Sequence, residues 1–335
     1  MPPRNLEKCV YVTEADQKDE LEAVIEQNQP AKQPPTKIVW RNVIWMIYLH
    51  IAALYGVYLM YYCKWQSWIW FAVTYGMSGL GITAGAHRLW AHRSYKAKLP
   101  LRIVLAIWNT MAFQNDVIEW SRDHRVHHKY SETDADPHNA NRGFFFSHVG
   151  WLLVRKHPEV RAKGKRVNID DLLADPVLVF QRKVYLPAMI FTCFFFPSLV
   201  AWYFWGESWW TAFFTVGILR YTLVLNATWA VNSVAHMFGN KPYDREISPV
   251  ETLSVAVAAL GEGYHNYHHT FPQDYSASEF GWGRNCTTAF IDFCAWIGQA
   301  YGMKKISPEM IKRRMERTGD GSTGFGYTNP PKKLD

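Results

Sequence analysis

The stretch NVIWMIYLHIAALYGVYLMYYC, residues 42–63, contains no Asp, Glu, Lys or Arg. An uncharged run of that length can cross a bilayer as one helix. Lys64 follows it, and then a second such run, QSWIWFAVTYGMSGLGITAGA, at 66–86. Together they predict a hairpin of spans. The arrangement returns at 184–205, VYLPAMIFTCFFFPSLVAWYFW, and 209–231, WWTAFFTVGILRYTLVLNATWAV, joined through Gly206-Glu207-Ser208. Arg220 interrupts the last run, and an isolated arginine at membrane depth faces the protein interior or a polar cavity.

Charge sets the orientation. Lys plus Arg number 6 in residues 1–41, 17 in 87–183 and 11 in 233–335, whereas the two short turns hold only Lys64. By the positive-inside rule, both termini and the middle segment are expected on the cytosolic side. The net charge of +7 therefore gathers on one face of the membrane, where it can meet anionic headgroups or a phosphorylated substrate. Nucleic acid is a poor partner for this pattern, because the basic residues flank spans and no nucleic-acid module is recognisable. The five cysteines are scattered without a CxxC, which argues against a disulfide framework and a thiolate zinc site. Residues 1–39 are polar with no signal-peptide core and are expected to form a mobile cytosolic tail.

Histidine carries the chemical signal. HRVHH at 124–128 and HNYHH at 265–269 share one spacing, which a random chain of this composition would show only about 0.02 times. Positions i, i+3 and i+4 share a helix face, so each copy can aim two or three imidazoles at one point. On the predicted topology these six, with His87 and His92 of HRLWAH and His236 after the fourth span, all face the cytosol. Nine imidazoles are too many for one ion and suit two, of iron, zinc or copper. His50, His138, His148 and His157 stand alone and are expected to be structural. Asp134 and Asp136 have the chemistry of metal ligands, but the Asp-Pro sequence favours a turn-forming role. LPLRIVLAIWNTMAF (99–113) and ETLSVAVAALG (251–261) are too short to span and could lie on the membrane surface or pack inside the cytosolic part.

Five segments, GITAGAHRLWAH (81–92), FQNDVIEWSRDHRVHHKYSETDADPHN (113–139), RGFFFSHVGWLLVRKHPEV (142–160), NATWAVNSVAHMFGNKPYD (226–244) and GEGYHNYHHTFP (261–272), together resemble the membrane-bound acyl-CoA desaturases, specifically the stearoyl-CoA Δ9 type of animals, with an arthropod-like character. The resemblance implies an all-α integral membrane protein, with four transmembrane helices beneath a cytosolic helical cap that holds a histidine-ligated di-metal site. Residues 40–321 would form the desaturase domain, with the cap drawn from 87–183 and 233–321. Residues 322–335 would be a tail whose final KKLD is similar to a dilysine endoplasmic-reticulum retrieval signal.

The same resemblance implies two Fe ions on His87, His92, His124, His127, His128, His236, His265, His268 and His269, with Asn232 reaching one through water. Zinc would compete for these imidazoles in overexpressed protein. O2 would be the co-substrate, and electrons would come from cytochrome b5 and its reductase. Coenzyme A contacts would fall on Asn42, Asn115, Arg122, Asp123, Arg155 and Lys156. Trp120, Thr228 and Trp229 would line the bend of an acyl tunnel that Tyr75 caps. Gly79, where an alanine is common in vertebrate members, predicts room for a slightly longer chain. The expected reaction is conversion of stearoyl- or palmitoyl-CoA into a cis-monounsaturated acyl-CoA in the endoplasmic reticulum membrane. Rival readings are a desaturase of other regiochemistry such as Δ11, a membrane hydroxylase, and a zinc-binding receptor or transporter. A transporter should place histidines within its spans, and only His50 lies there.

Overall fold

Long uncharged runs leave the backbone no partner in lipid except itself, so they wind into helices. The computed structural model of the chain describes residues 36–325 and the short strand Cys9–Tyr11. Helix α1 is Trp40–Met60 and α2 is Trp65–Leu80. Continuous helical stretches at Pro176–Trp205 (α5) and Trp209–Met237 (α6), together with α1, are the three helices among the described residues that are long and apolar enough to cross a membrane. Along α1, Leu49, Ala52, Ala53, Gly56, Leu59 and Met60 are buried at helical spacing, while Ile44, Ile47, Ile51 and Leu54 are exposed on other faces. That is the pattern of a helix packed on one side and greased on the other.

The expected span 66–86 does not form as one regular helix. After Leu80 the chain widens into π-helical turns over Gly81–Ala91, all of them buried. Gly81 explains the burial: a Cβ there would lie 2.3 Å from the backbone of Trp108 and Asn109. Those residues belong to α3 (Leu99–Ala112), which packs along this segment and keeps Leu99, Ile103 and Ile107 exposed. Helix α4 (Val117–Lys129) begins at Asp116, whose side chain accepts from Glu119 N, a common way to satisfy an orphan N-terminal amide.

The two short turns clasp each other. Lys64 Nζ donates to Trp205 O at 2.7 Å and Gly206 O at 2.8 Å, while the Glu207 carboxylate accepts from Lys64 N and from the Ser67 hydroxyl. Near the middle of α6, Arg220 is fully buried. Its guanidinium donates to Ser78 Oγ at 2.7 Å, to the carbonyls of Cys193, Met111 and Val216, and so ties α2, α3, α5 and α6 together.

The remaining chain is short helices on that base. Leu253–Ala258 (α7), His265–Thr270 (α8), Cys286–Trp296 (α9) and Pro308–Thr318 (α10) follow α6. Lys96–Ala97 pairs antiparallel with Ala300–Tyr301, and Cys9–Tyr11 pairs parallel with Met303–Lys305. Lys37 and Val39 hydrogen bond to Arg155 and Leu153, so the end of the predicted tail is anchored next to α1. A core of Leu89, Trp90, Leu105, Ile118, Leu178 and Ile291 joins the helices on either side. The rest of the predicted tail, and the KKLD terminus, lie outside the described residues.

Arg220→Ala would leave the Ser78 hydroxyl and the facing carbonyls without their donor. It is expected to destabilise the protein by about 2–4 kcal/mol, read as a lowered melting temperature in detergent.

Candidate metal centre

The two histidine motifs interlock. His87, His92, His124, His128 and His268 bring their ligand nitrogens together in one group, and His127, His236, His265 and His269 form a second, the atoms of each group lying within 4.8 Å of one another. Each motif sits on a short helix and gives its i, i+4 pair to one group and its middle histidine to the other: His124 and His128 against His127, then His265 and His269 against His268. His87 and His92, five apart, would diverge by about 140° on a regular helix. They meet because π winding carries them round: His92 N bonds His87 O, an i to i+5 step, and the rings are 4.8 Å apart.

Geometry and charge state suit these groups to metal ions. Nε2 atoms face each other at 3.0 Å for His87 and His268, 2.8 Å for His92 and His124, 3.0 Å for His128 and His268, 3.0 Å for His236 and His265, and 3.1 Å for His265 and His269. Burial, reinforced by neighbouring imidazoles, holds His92, His124, His128, His265, His268 and His269 well below the usual histidine range, so these rings are neutral and can offer lone pairs. The buried Nε2 of His127 has no hydrogen-bond partner among the described residues. Converging neutral lone pairs repel one another until a cation sits between them. The donor set therefore fits two imidazole-ligated transition-metal ions.

Three carboxylates orient the rings from behind. Glu262 meets His87 Nδ1 at 3.0 Å, Asp136 meets His127 Nδ1 at 2.8 Å and Glu132 meets His236 Nδ1 at 2.7 Å. A carboxylate that accepts a hydrogen bond from Nδ1–H fixes the tautomer and leaves the Nε2 lone pair free to face a metal. Burial pushes the Glu262 carboxyl up, but Arg88 and His87 outweigh it and hold the group low. Burial pulls His127 down, and Asp136 reverses the effect and leaves it raised. Arg88 is itself fully buried and binds Glu262, Thr288 Oγ1 and the carbonyls of Tyr275 and Ser276. Glu132 has the left-handed φ of 63°, uncommon for a side-chain-bearing residue, and its backbone N–H donates to Asp136. Asp136 also accepts from His138 N, so it serves the turn and the ring at once.

The other predicted positions lie in several places. Tyr75, Gly79 and Thr228 line one small cavity with Leu260 and Ile82, and Trp120 packs with Tyr75 on Ile82, Ala112 and Val224. Trp120 stacks on His124 at 5.0 Å, which puts the cavity wall against the five-histidine group. Gln114, an ordinary polar residue by its sequence context, donates to Thr228 Oγ1 at 2.9 Å. Trp229 is buried between His50 and His148. Toward the surface, Asp123 binds both Arg122 and Lys156, with Arg155 exposed beside them, and Asn42 donates to Leu152 O at 2.7 Å. Asn115 takes a left-handed φ of 75° between α3 and α4, and Asn232 lies one turn before His236.

Sequence comparison supplies the family. The family model described as fatty acid desaturase matches residues 64–277. The chain is 57% identical to an acyl-CoA desaturase of Cyprinus carpio over 97% of this chain and 100% of that protein. It is 57% identical to a stearoyl-CoA desaturase of Homo sapiens, covering 93% and 87% of the two chains, and 56% identical to an acyl-CoA Delta-9 desaturase of Acheta domesticus, covering 95% and 90%. The chain belongs to the fatty acid desaturase family.

Glu132→Gln and Asp136→Asn are each expected to weaken metal retention about 10- to 100-fold, measured as metal per chain after dialysis against a chelator. Retention equal to that of the unaltered protein would show that these carboxylates serve only their own loop.

Proposed function

We propose that this protein is a Δ9 acyl-CoA desaturase that converts stearoyl- or palmitoyl-CoA to the cis-monounsaturated product. The observation that carries the reading is the pair of imidazole groups, the five-histidine one set against an apolar cavity, in a chain more than half identical to proteins named acyl-CoA and stearoyl-CoA desaturases. It is an oxidoreductase of the membrane. Its address is the endoplasmic reticulum, with four spans and both termini cytosolic, the second span being α2 with the turns that follow it. The nine histidines are the iron ligands, with Asn232 acting through water, and cytochrome b5 with its reductase is the electron source.

Two irons held there supply what no side chain can, the activation of O2 for removal of hydrogen from unactivated methylenes. The chain's own residues do the rest. Glu262, Asp136 and Glu132 keep the Nδ1 protons of His87, His127 and His236 and leave each Nε2 free to coordinate. Trp120, stacked on His124, presents an apolar surface that holds an acyl chain beside the centre and keeps water from it. At the mouth, Arg122 and Lys156 now share Asp123, and coenzyme A phosphate would compete with that carboxylate for the two cations. A substrate held at both ends presents one pair of carbons to the centre, so the tunnel fixes the site of reaction.

Expression in desaturase-deficient yeast, with double bonds located by mass spectrometry of derivatised lipids, is expected to yield Δ9 monoenes. His128→Ala and His268→Ala, one from each motif, should abolish them. Monoenes at another position would move the error to the tunnel; normal product from either variant would remove these histidines from the site.

A further inference from the structure

The absence of a side chain at Gly79 does not leave open space. An added Cβ would lie 2.6 Å from Leu260 Cδ1, so the volume beside Gly79 is already filled by a residue far along the chain. Leu260 is half-buried and lines the same cavity as Tyr75, Gly79, Thr83 and Thr228. Its backbone is left-handed, with φ 55°, a conformation uncommon for a leucine. Strain of this kind persists where the surroundings over-determine it. Here Thr287 does so: its N–H at 3.0 Å and its hydroxyl at 2.9 Å both donate to Leu260 O, and that hydroxyl is 2.7 Å from Thr83 Oγ1. Tyr75 closes the neighbouring side by donating to Ala258 O at 2.8 Å.

We propose that Leu260 is the depth stop of the acyl site, and that position 79 is glycine in order to seat Leu260 rather than to lengthen the cavity. The inference rests on the acyl-CoA desaturase reading and adds a specificity-determining residue to it. Both parts of the stop are built into segments that carry metal ligands, since Gly79 precedes His87 on one continuous helical stretch and Leu260 lies five residues before His265. The floor of the cavity is thereby held at a fixed distance from the centre. With its carbonyl clamped by Thr287, Leu260 can yield only through its side chain, and the free volume beside that side chain is the cavity.

The test supplies membranes containing the full chain with an equal mixture of palmitoyl-, stearoyl- and eicosanoyl-CoA and reads the monoene product ratios. Leu260→Ala should raise the eicosenoyl-to-oleoyl ratio about tenfold, the scale on which apolar pockets discriminate methylenes. Leu260→Phe and Gly79→Ala should each shift preference toward palmitoyl-CoA. In the double variant Gly79→Ala/Leu260→Ala, the added methyl no longer meets the leucine, so the palmitoyl shift of Gly79→Ala should disappear. Unchanged ratios in Leu260→Ala and Leu260→Phe, with monoene still formed, would overturn the depth stop and leave the desaturase reading intact. A palmitoyl shift that survives in the double variant would assign the effect to Gly79 alone. No monoene from the unaltered chain would remove the acyl reading and the depth stop with it.

Discussion

The convergence of imidazole lone pairs is the constraint on which the rest of the structure depends. His265 Nε2 faces both His236 and His269 Nε2, and His268 Nε2 faces both His87 and His128. One proton per nitrogen cannot satisfy two such neighbours, and burial disfavours the charged rings that would supply more. A cation converts the repulsion into attraction, so the free energy of metal binding becomes free energy of folding. Four separate segments, Gly81–His92, α4, the end of α6 and α8, meet at the two groups.

Two buried arginines show how the protein meets opposite electrical demands in its two halves. Arg88, next to His87, faces the Glu262 carboxylate, and its remaining donors collect carbonyls and a hydroxyl from residues 275–288. It therefore links the π-helical stretch to the segment leading into α9. Arg220, among the spans, has neutral acceptors instead: a serine hydroxyl and main-chain carbonyls from three helices. Carbonyls freed where α5 and α6 widen into π turns are a natural acceptor for such a guanidinium, since Cys193 and Val216 both lie in those widened stretches.

What could be read from the sequence divides along physical lines. Uncharged runs announce helices, and the i, i+4 pairs His124/His128 and His265/His269 announce shared faces, because both signals are local and depend on one helical period. The partition of each motif between two groups is not local, since it depends on where α4 and α8 sit relative to each other. His87 and His92 would diverge on regular winding, and the π turns that reconcile them lie in a segment whose Gly81 packs directly on α3, a contact between segments distant in sequence. Glu132 and Glu262 look like ordinary surface acids in the sequence. Their roles arise from partners 104 and 175 positions away, too far for any spacing rule. The small size of Gly79 was legible, but its meaning was not, because the atom that fills the space belongs to Leu260.

The interlocked motifs give the centre an approximate exchange symmetry, each lending a pair to one group and a single ring to the other, yet the surroundings of the two groups differ. The five-histidine group has one carboxylate behind it, and Arg88 offsets that charge. The four-histidine group has two, Glu132 and Asp136, neither of which has a lysine or arginine partner among the described residues. Coordination and charge thus run in opposite directions: the group with fewer imidazoles has more uncompensated negative charge behind it. Carboxylates behind imidazoles raise their basicity, so the second group makes up in donor strength and local potential what it lacks in ligand number. Both volumes can then hold a divalent ion without a carboxylate in direct contact, and each keeps the all-nitrogen surface that the histidine spacing announced.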